Sequence, residues 1–298
     1  MRIPCGSISI GLDSPDGDFS FLSHAHSDHT GGLKRKRTLL SSQATIDLAG
    51  IGAEAVEVQG AKLIDAGHIL GAKQLLVDSD GERIVYTGDI SLRQNIFGMK
   101  AEIPSCDHLI MEATYGDPSY VFPALEDVYS QVSGFVKDND KKNIIIGAYE
   151  LGKSQELVRL LNESGVAPIV TEKMDDFCTV YEKHGIKLDR LVVGSEEAEE
   201  AMSRAFAAIV PMWKAKRYFA KRLADAFERP TVCAVATGWA LHYRFNTDAA
   251  FPLSDHADFN ELVNYVEQSG AKEVEFFCGN GKKVMEAVRL KSGAILNS

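Results

Sequence analysis

The stretch Ser23-His24-Ala25-His26-Ser27-Asp28-His29-Thr30-Gly31-Gly32 constrains this chain more than any other. It follows directly on Phe19-Ser20-Phe21-Leu22, an apolar run that reads as a strand, so three imidazoles and a carboxylate leave one strand end through a tight loop. An H-x-H-x-D-H pattern in that setting projects four nitrogen and oxygen ligands from one loop. Imidazole with carboxylate is the ligand set of zinc or manganese. Of the chain's 8 histidines, three fall in this one run.

Short β-rich runs dominate the first third: residues 8–10, 19–22, 75–77, 83–86 and 108–111, each bounded by Gly, Asp or Ser. From about residue 122 the pattern changes. Leu125, Val128, Tyr129, Val132 and Val136 recur at helical spacing, Asn143-Ile144-Ile145-Ile146 reads as a buried strand, and residues 154–161 read as a second helix. Strand and helix patterns then alternate: a strand at 168–170, a helix around 174–184, a strand at 191–193, helices from Glu196 to Trp213 and onward to Phe227, and a strand at 231–235. Such alternation predicts parallel α/β structure. The last fifty residues read as helix, strand and helix. There is no internal repeat, low-complexity segment or long linker.

A length of 298 residues predicts one or two domains. Apolar residues at 45% and charged residues at 25% are ordinary globular values, and no apolar run approaches the ~20 residues of a membrane span. A soluble protein is expected, with no membrane partner. Met1-Arg2-Ile3-Pro4-Cys5-Gly6 is not followed by a signal-peptide core, and 5 scattered cysteines form no disulfide framework, so a reducing cytoplasm is expected. A formal net charge of -10 argues at first sight against a polyanionic partner.

With the histidine run, further segments in order give the chain a resemblance to the metallo-β-lactamase superfamily: Asp13 before the loop, then Asp65-Ala66-Gly67-His68, then Tyr86-Thr87-Gly88-Asp89. The resemblance implies that His24, His26 and His68 bind one metal, that Asp28 and His29 bind a second, and that Asp89 bridges them. Asp13 would orient a ligand from behind. Two cations ~3.5–4 Å apart lower the pKa of a shared water and neutralise charge at the attacked centre. Such a site cleaves esters, amides or phosphodiesters, so fold and metal alone do not choose the substrate.

Three later segments resemble one branch, the β-CASP nucleases: Met111-Glu112-Ala113-Thr114-Tyr115-Gly116, Pro252-Leu253-Ser254-Asp255-His256-Ala257-Asp258, and residues 147–157, similar to the segment that opens that branch's inserted domain. The resemblance covers essentially the whole chain. It implies a mixed α/β molecule, an αββα sandwich from 1–121 with 249–298 and an α/β β-CASP domain inserted at 122–248. It also implies a zinc-dependent nuclease with one or two Zn²⁺ ions, Mn²⁺ being the alternative. Metal hydroxide would attack phosphorus at a site using Asp28 and Asp89, while His256 protonates the leaving oxygen and Glu112 holds its imidazole, leaving a 5′-phosphate. The pattern breaks at Cys278, where RNA-cleaving members carry histidine: cysteine there either ligates zinc or packs as a small hydrophobe. RNA processing, of the short mRNA 3′-end-processing-factor kind, is the first expectation. A DNA 5′-exonuclease of the Artemis or ligase-associated type is the second.

Gly147 to Ser154 also satisfies G-x-x-x-x-G-K-S, a P-loop string, so nucleotide binding is a third expectation. Its interior, Ala-Tyr-Glu-Leu, is bulky and acidic where phosphate loops are small. Lys153 is expected to contact a substrate phosphate. Lys34, Arg35, Lys36 and Arg37 follow the histidine loop, and Lys214, Lys216, Arg217, Lys221 and Arg222 are interleaved with Trp213, Tyr218 and Phe219 on an expected helix; Arg244 adds to them. Charges for phosphates and rings for bases make a path for single-stranded RNA or DNA, while a solvated face is the plain alternative. His108, His184 and His242 are expected at capping or surface positions, and Cys5, Cys106, Cys178 and Cys233 as ordinary thiols. A homodimer is left open. The net charge then describes a narrow basic track on an acidic body, with binding that weakens steeply with salt.

Overall fold

The computed structural model describes residues 1–291. Two compact units divide the chain, one formed by Met1–Val121 with the segment from His256 on, the other by Phe122–Asp255.

The first unit opens with β1 (Arg2–Cys5), β2 (Ile8–Leu12) and β3 (Phe19–Phe21), β1 antiparallel and β3 parallel to β2. Next come α1 (Ser27–Thr30), β4 (Thr38–Leu39), α2 (Gln43–Ala49) and β5 (Glu54–Ala55). Strands β6 (Ala61–Asp65), β7 (Lys73–Ser79), β8 (Glu82–Tyr86) and β9 (His108–Met111) belong to a second sheet. The second unit holds α3 (Leu125–Asp138), β10 (Asn143–Ala148), α4 (Lys153–Glu163), β11 (Ile169–Val170), α5 (Glu172–Lys183), β12 (Leu191–Val192), α6 (Glu196–Met202), β13 (Ala207–Pro211), α7 (Arg217–Phe227), β14 (Thr231–Ala236) and β15 (Ala249–Phe251). The chain returns to the first unit with α8 (Phe259–Ser269), β16 (Glu273–Phe276) and α9 (Gly281–Lys291). Strand β16 pairs parallel to β9 and completes the order β16-β9-β8-β7-β6.

Alternation along β7 explains the layering of the first unit. Leu75 and Val77 point to one face and join Ile10 and Phe21 of the three-stranded sheet, with Tyr86 and Ile110, in one core. Each such buried side chain contributes roughly 1.5–3 kcal/mol. Gln74 points to the other face, where its Oε1 accepts a hydrogen bond from the Tyr265 hydroxyl of α8 at 2.5 Å. Ile46 of α2 closes the opposite side against Leu22 and Leu39. Two sheets are thus packed face to face with helices outside both, an αββα sandwich.

In the second unit all six strands are parallel, in the order β12-β11-β13-β10-β14-β15. Ile145, Ala208, Cys233 and Val235 face Ala198 of α6 and Ala220 of α7 in a second core. Two expectations are corrected here. The run Ala207–Pro211, read as helix, is the strand β13 in the interior of the sheet. A strand buried on both faces shows no period-2 alternation, and its two alanines favour a helical reading. The boundary expected at 248 lies at Asp255, because Ala249–Phe251 pairs in parallel with Ala234–Ala236. Strands β1, β4, β5, β6 and β15 are not predicted from the sequence: β4 and β5 are two residues each, and β1, β6 and β15 are sheet edges with only part of their residues buried. Among the described residues no helix is long and apolar enough to cross a membrane.

Candidate metal centre

Strand ends of the first unit deliver the expected residues to one place. The turn after β3 presents His24 and His26, the turn after β6 presents His68, and the turn after β8 presents Asp89. One ligand atom from each of these four residues lies within 4.8 Å of all the others. Asp89 Oδ2 is the hub: Nε2 of His24 stands 3.4 Å away, of His29 3.8 Å, of His68 3.8 Å and of His256 3.9 Å. His26 Nδ1 lies 3.1 Å from His68 Nε2. Ligands about 2.0–2.1 Å from a shared tetrahedral ion are themselves ~3.3–3.4 Å apart, so these separations suit common coordination.

The tautomer of His24 gives an independent test of fit. The Ser23 hydroxyl has one proton, and it donates that to Asp13 Oδ2 at 2.6 Å, since an ionised carboxylate only accepts. Ser23 Oγ must therefore accept from His24 Nδ1, 3.0 Å away, which puts the ring proton on Nδ1 and the lone pair on Nε2. That Nε2 is buried without a hydrogen-bond partner, and burial, then the neighbouring imidazoles, keep the ring neutral. A neutral, buried imidazole with an unused lone pair aimed at Asp89 and two more histidines is a ligand set for a divalent cation.

Asp13 organises the back of the cluster. Besides Ser23, its carboxylate takes the His29 Nδ1 proton at 2.7 Å, the Tyr86 hydroxyl at 2.9 Å and the Ser23 amide at 2.7 Å. Its own backbone has φ of 44°, a left-handed conformation that aspartate tolerates better than most residues. Burial opposes a charge on His29, yet the hydrogen bond to Asp13 and the charges of Asp89, Asp13 and Asp28 raise its imidazole to about 9. Burial, then Asp13, pushes the Tyr86 phenol upward, so it remains a donor. Burial and the nearby charge of Glu112 raise Asp89, against the opposing pull of His256 and His29. Gly88 lets these strands meet: at φ +54°, a Cβ there would lie 2.5 Å from the Ser23 Cβ.

Glu112 and His256 form a second group with Asp89. Glu112, fully buried after β9, accepts from the Ile90 amide at 2.8 Å, the Thr114 amide at 3.3 Å and His256 Nδ1 at 2.9 Å. Desolvation works against its charge, but the His256 charge and these hydrogen bonds hold it below the usual carboxylate range. The loop bearing His256 is anchored on its far side. Ala257 N donates to Ile90 O at 2.6 Å, and Asp258 caps α8 by exchanging hydrogen bonds with Glu261, each 2.9 Å. Ser23, Tyr86 and Asp258 flank the ligands within the same motifs, and their polar side chains are the sequence signal for these supporting roles.

Of the expected ligands, His29, Asp28 and Cys278 fall outside the groups whose ligand atoms lie within 4.8 Å of one another among the described residues. Asp28 is exposed, its carboxylate 3.8 Å from His29 Nε2. Cys278 Sγ lies 3.9 Å from Thr114 Oγ1 and joins none of the candidate ligand groups found among the described residues. Desolvation, then the Glu112 charge, pushes its thiol up to about 11, so thiolate character is low. Cys5, Cys106, Cys178 and Cys233 are buried free thiols, as expected.

The P-loop expectation fails on local geometry. Gly152 N donates to Gln155 Oε1 at 2.7 Å, and both the amide and the hydroxyl of Ser154 donate to Tyr149 O. Lys153 is buried and paired with Asp255. The groups that would cradle a phosphate are already engaged within the unit, and Lys153 is not a free cation for substrate. In the basic runs, Lys34, Arg35, Arg37, Lys216, Lys221 and Arg244 are exposed, Lys36 binds Pro15 O at 3.0 Å, and Arg217 pairs with Asp248 at 3.0 Å. The expected helix begins only at Arg217, so Trp213 and Lys214 lie in the turn before it. Phe219 packs into the core rather than facing solvent.

No family model matches the chain. Curated proteins do. A probable DNA ligase of Opitutus terrae is 32% identical over 294 residues, 91% of this chain and 28% of its own. The 5′ exonuclease Apollo of Gallus gallus is 25% identical over 270 residues, 83% of this chain and 55% of its own. An RNase J-like protein of Methanocaldococcus jannaschii is 33% identical over 107 residues, 34% of this chain and 25% of its own. The chain belongs to the β-CASP branch of the metallo-β-lactamase superfamily. It spans about a quarter of the ligase and the RNase J-like protein and about half of Apollo. β-CASP membership accounts for a sandwich that carries the ligand cluster together with a separate parallel α/β unit.

Proposed function

We propose that this chain is a zinc-dependent nuclease that hydrolyses phosphodiester bonds of single-stranded nucleic acid, acting in RNA processing in the cytoplasm and leaving a 5′-phosphate. One observation supports it above others: His256, backed by the buried Glu112, stands 3.9 Å from the Asp89 oxygen that three further imidazoles approach. An alkoxide is a poor leaving group, and a proton donor beside the cluster is what phosphodiester cleavage needs. His24, His26, His68 and Asp89 would hold one ion, with His29, Asp28 and Asp89 at a second. When bound, the ions supply a water of lowered pKa and neutralise charge on the phosphate. Glu112, held ionised, fixes the His256 proton on Nδ1 and favours the imidazolium, so that Nε2 can deliver a proton to the leaving oxygen. Asp13 holds His29 and, through Ser23, His24 in ligating tautomers.

DNA end trimming is the second reading. It is favoured by coverage: the ligase and the 5′ exonuclease match 91% and 83% of this chain, the RNase J-like protein 34%. Cleavage of 5′- and 3′-labelled single-stranded RNA and DNA, with zinc or manganese, tests both. The parent is expected to cut at least one polymer, and His256→Ala to cut it about 10²–10⁴-fold more slowly. An uncut set of four substrates, or a variant as fast as the parent, would overturn the nuclease reading.

A further inference from the structure

The C-terminal edge of the parallel sheet in the second unit carries exposed aromatic rings where that edge would ordinarily be polar loop. Strands β13, β10 and β14 are adjacent, and their register sets Ala148 beside Pro211 and Gly147 beside Val235, so all three end at one level. Each is followed by a ring. Tyr149 follows β10 directly and is 44% exposed, Trp213 stands two residues beyond β13 and is 69% exposed, and Tyr243 stands seven residues beyond β14, after the turn Gly238–Leu241 and edge-on to the Trp239 ring at 5.8 Å, and is 60% exposed. In open parallel sheets this edge is where ligands bind. Strand spacing of about 4.8 Å sets the starts of these neighbouring loops side by side.

Charge agrees with that geometry. Lys214 Nζ stands 5.3 Å from the Trp213 ring centre, Arg244 follows Tyr243 directly, and residues 213–224 contain five basic residues and no acid. Large solvent-facing rings gain nothing from exposure, and a protein partner's apolar surface would not call for this excess of cations.

We propose that Tyr149, Trp213 and Tyr243 form a stacking platform for three or so unpaired bases of a nucleic-acid strand, with Lys214 and Arg244 on its phosphates. The proposal rests on the nuclease reading and deepens it. Recognition is by the faces of bases and therefore tolerant of sequence, and duplexes, whose faces are already stacked, bind poorly. These rings hold the polymer; the bond-breaking groups are elsewhere in the chain.

Binding of a fluorescein-labelled oligothymidylate 20-mer to the full chain in EDTA, beside an abasic oligonucleotide of equal length, tests it. Trp213→Ala and Tyr243→Ala are expected to weaken thymidylate binding about tenfold each, Trp213→Phe to restore most of it, and the abasic strand to bind parent and variants alike and weakly. Hydrolysis of bis(p-nitrophenyl) phosphate by the zinc-loaded variants is expected to match the parent. Alanine variants that bind within twofold of the parent, an abasic strand bound as tightly as thymidylate, or a duplex bound as tightly would each overturn the platform. Failure of the parent to hydrolyse any phosphodiester would instead overturn the nuclease reading, and the binding results would still decide the platform.

Discussion

Asp13 shows how one carboxylate behind a site sets what the site can do. It is the acceptor for Ser23 and His29, and through Ser23 it fixes the proton of His24. Replacement by alanine is expected to lower zinc affinity about 10–100-fold while leaving the fold intact, as measured by metal competition and circular dichroism. Glu112→Gln separates positioning from ligation. Metal content is expected to stay that of the parent, cleavage to slow at least tenfold, and the alkaline limb of the pH–rate profile to move to lower pH, because losing the carboxylate favours neutral imidazole at His256. At this scale the histidine loop, Asp89, Glu112 and His256 could be read from sequence because short-range spacing and flanking residues mark them. Cys278 and Lys153 could not. Whether a thiol faces a metal, or a lysine finds a buried partner 102 residues on, depends on tertiary contacts that leave no local trace.

The elements position these residues by close approach of backbones. Gly88 is the clearest instance, since its left-handed conformation and the 2.5 Å gap to Ser23 leave no room for a side chain. Gly88→Ala is expected to destabilise the protein by roughly 1–3 kcal/mol and to lower metal content, read by chemical denaturation and elemental analysis. Elements with a strong period were recognisable in advance: the amphipathic α3 and α5, and the central strands β7, β8 and β10. Strand β13 was not, because burial on both faces removes the alternation on which the reading depends. Phe219 was assigned to a surface by its basic neighbours, yet the helix starts at Arg217 and turns that ring inward.

For the whole molecule, the central cluster ties stability to metal and to pH. Asp89 and His29 both have pKa values raised in the folded, metal-free protein, so each contributes less stability as pH rises: Asp89 above the ordinary carboxylate range, His29 from about 6.5 through about 9. Bound cations reverse the sign, since they displace those protons and neutralise those charges. The rise in Tm on adding zinc is therefore expected to be larger at pH 8.5 than at pH 6, by differential scanning fluorimetry; a rise that shrinks with pH would contradict it. The net charge of -10 fits the same picture, because part of the acidity lies at the cluster and on the exposed α6, while basic residues gather in short runs.

The most direct measurement pairs elemental analysis with cleavage of end-labelled single strands, on the same preparations of parent and Asp89→Ala. The parent is expected to hold zinc and cut, and the variant to lose most of both, since Asp89 is the oxygen on which four imidazoles converge. Cleavage by Asp89→Ala at the parent's rate, or by a parent free of metal, would contradict a metal-dependent nuclease centred on that residue.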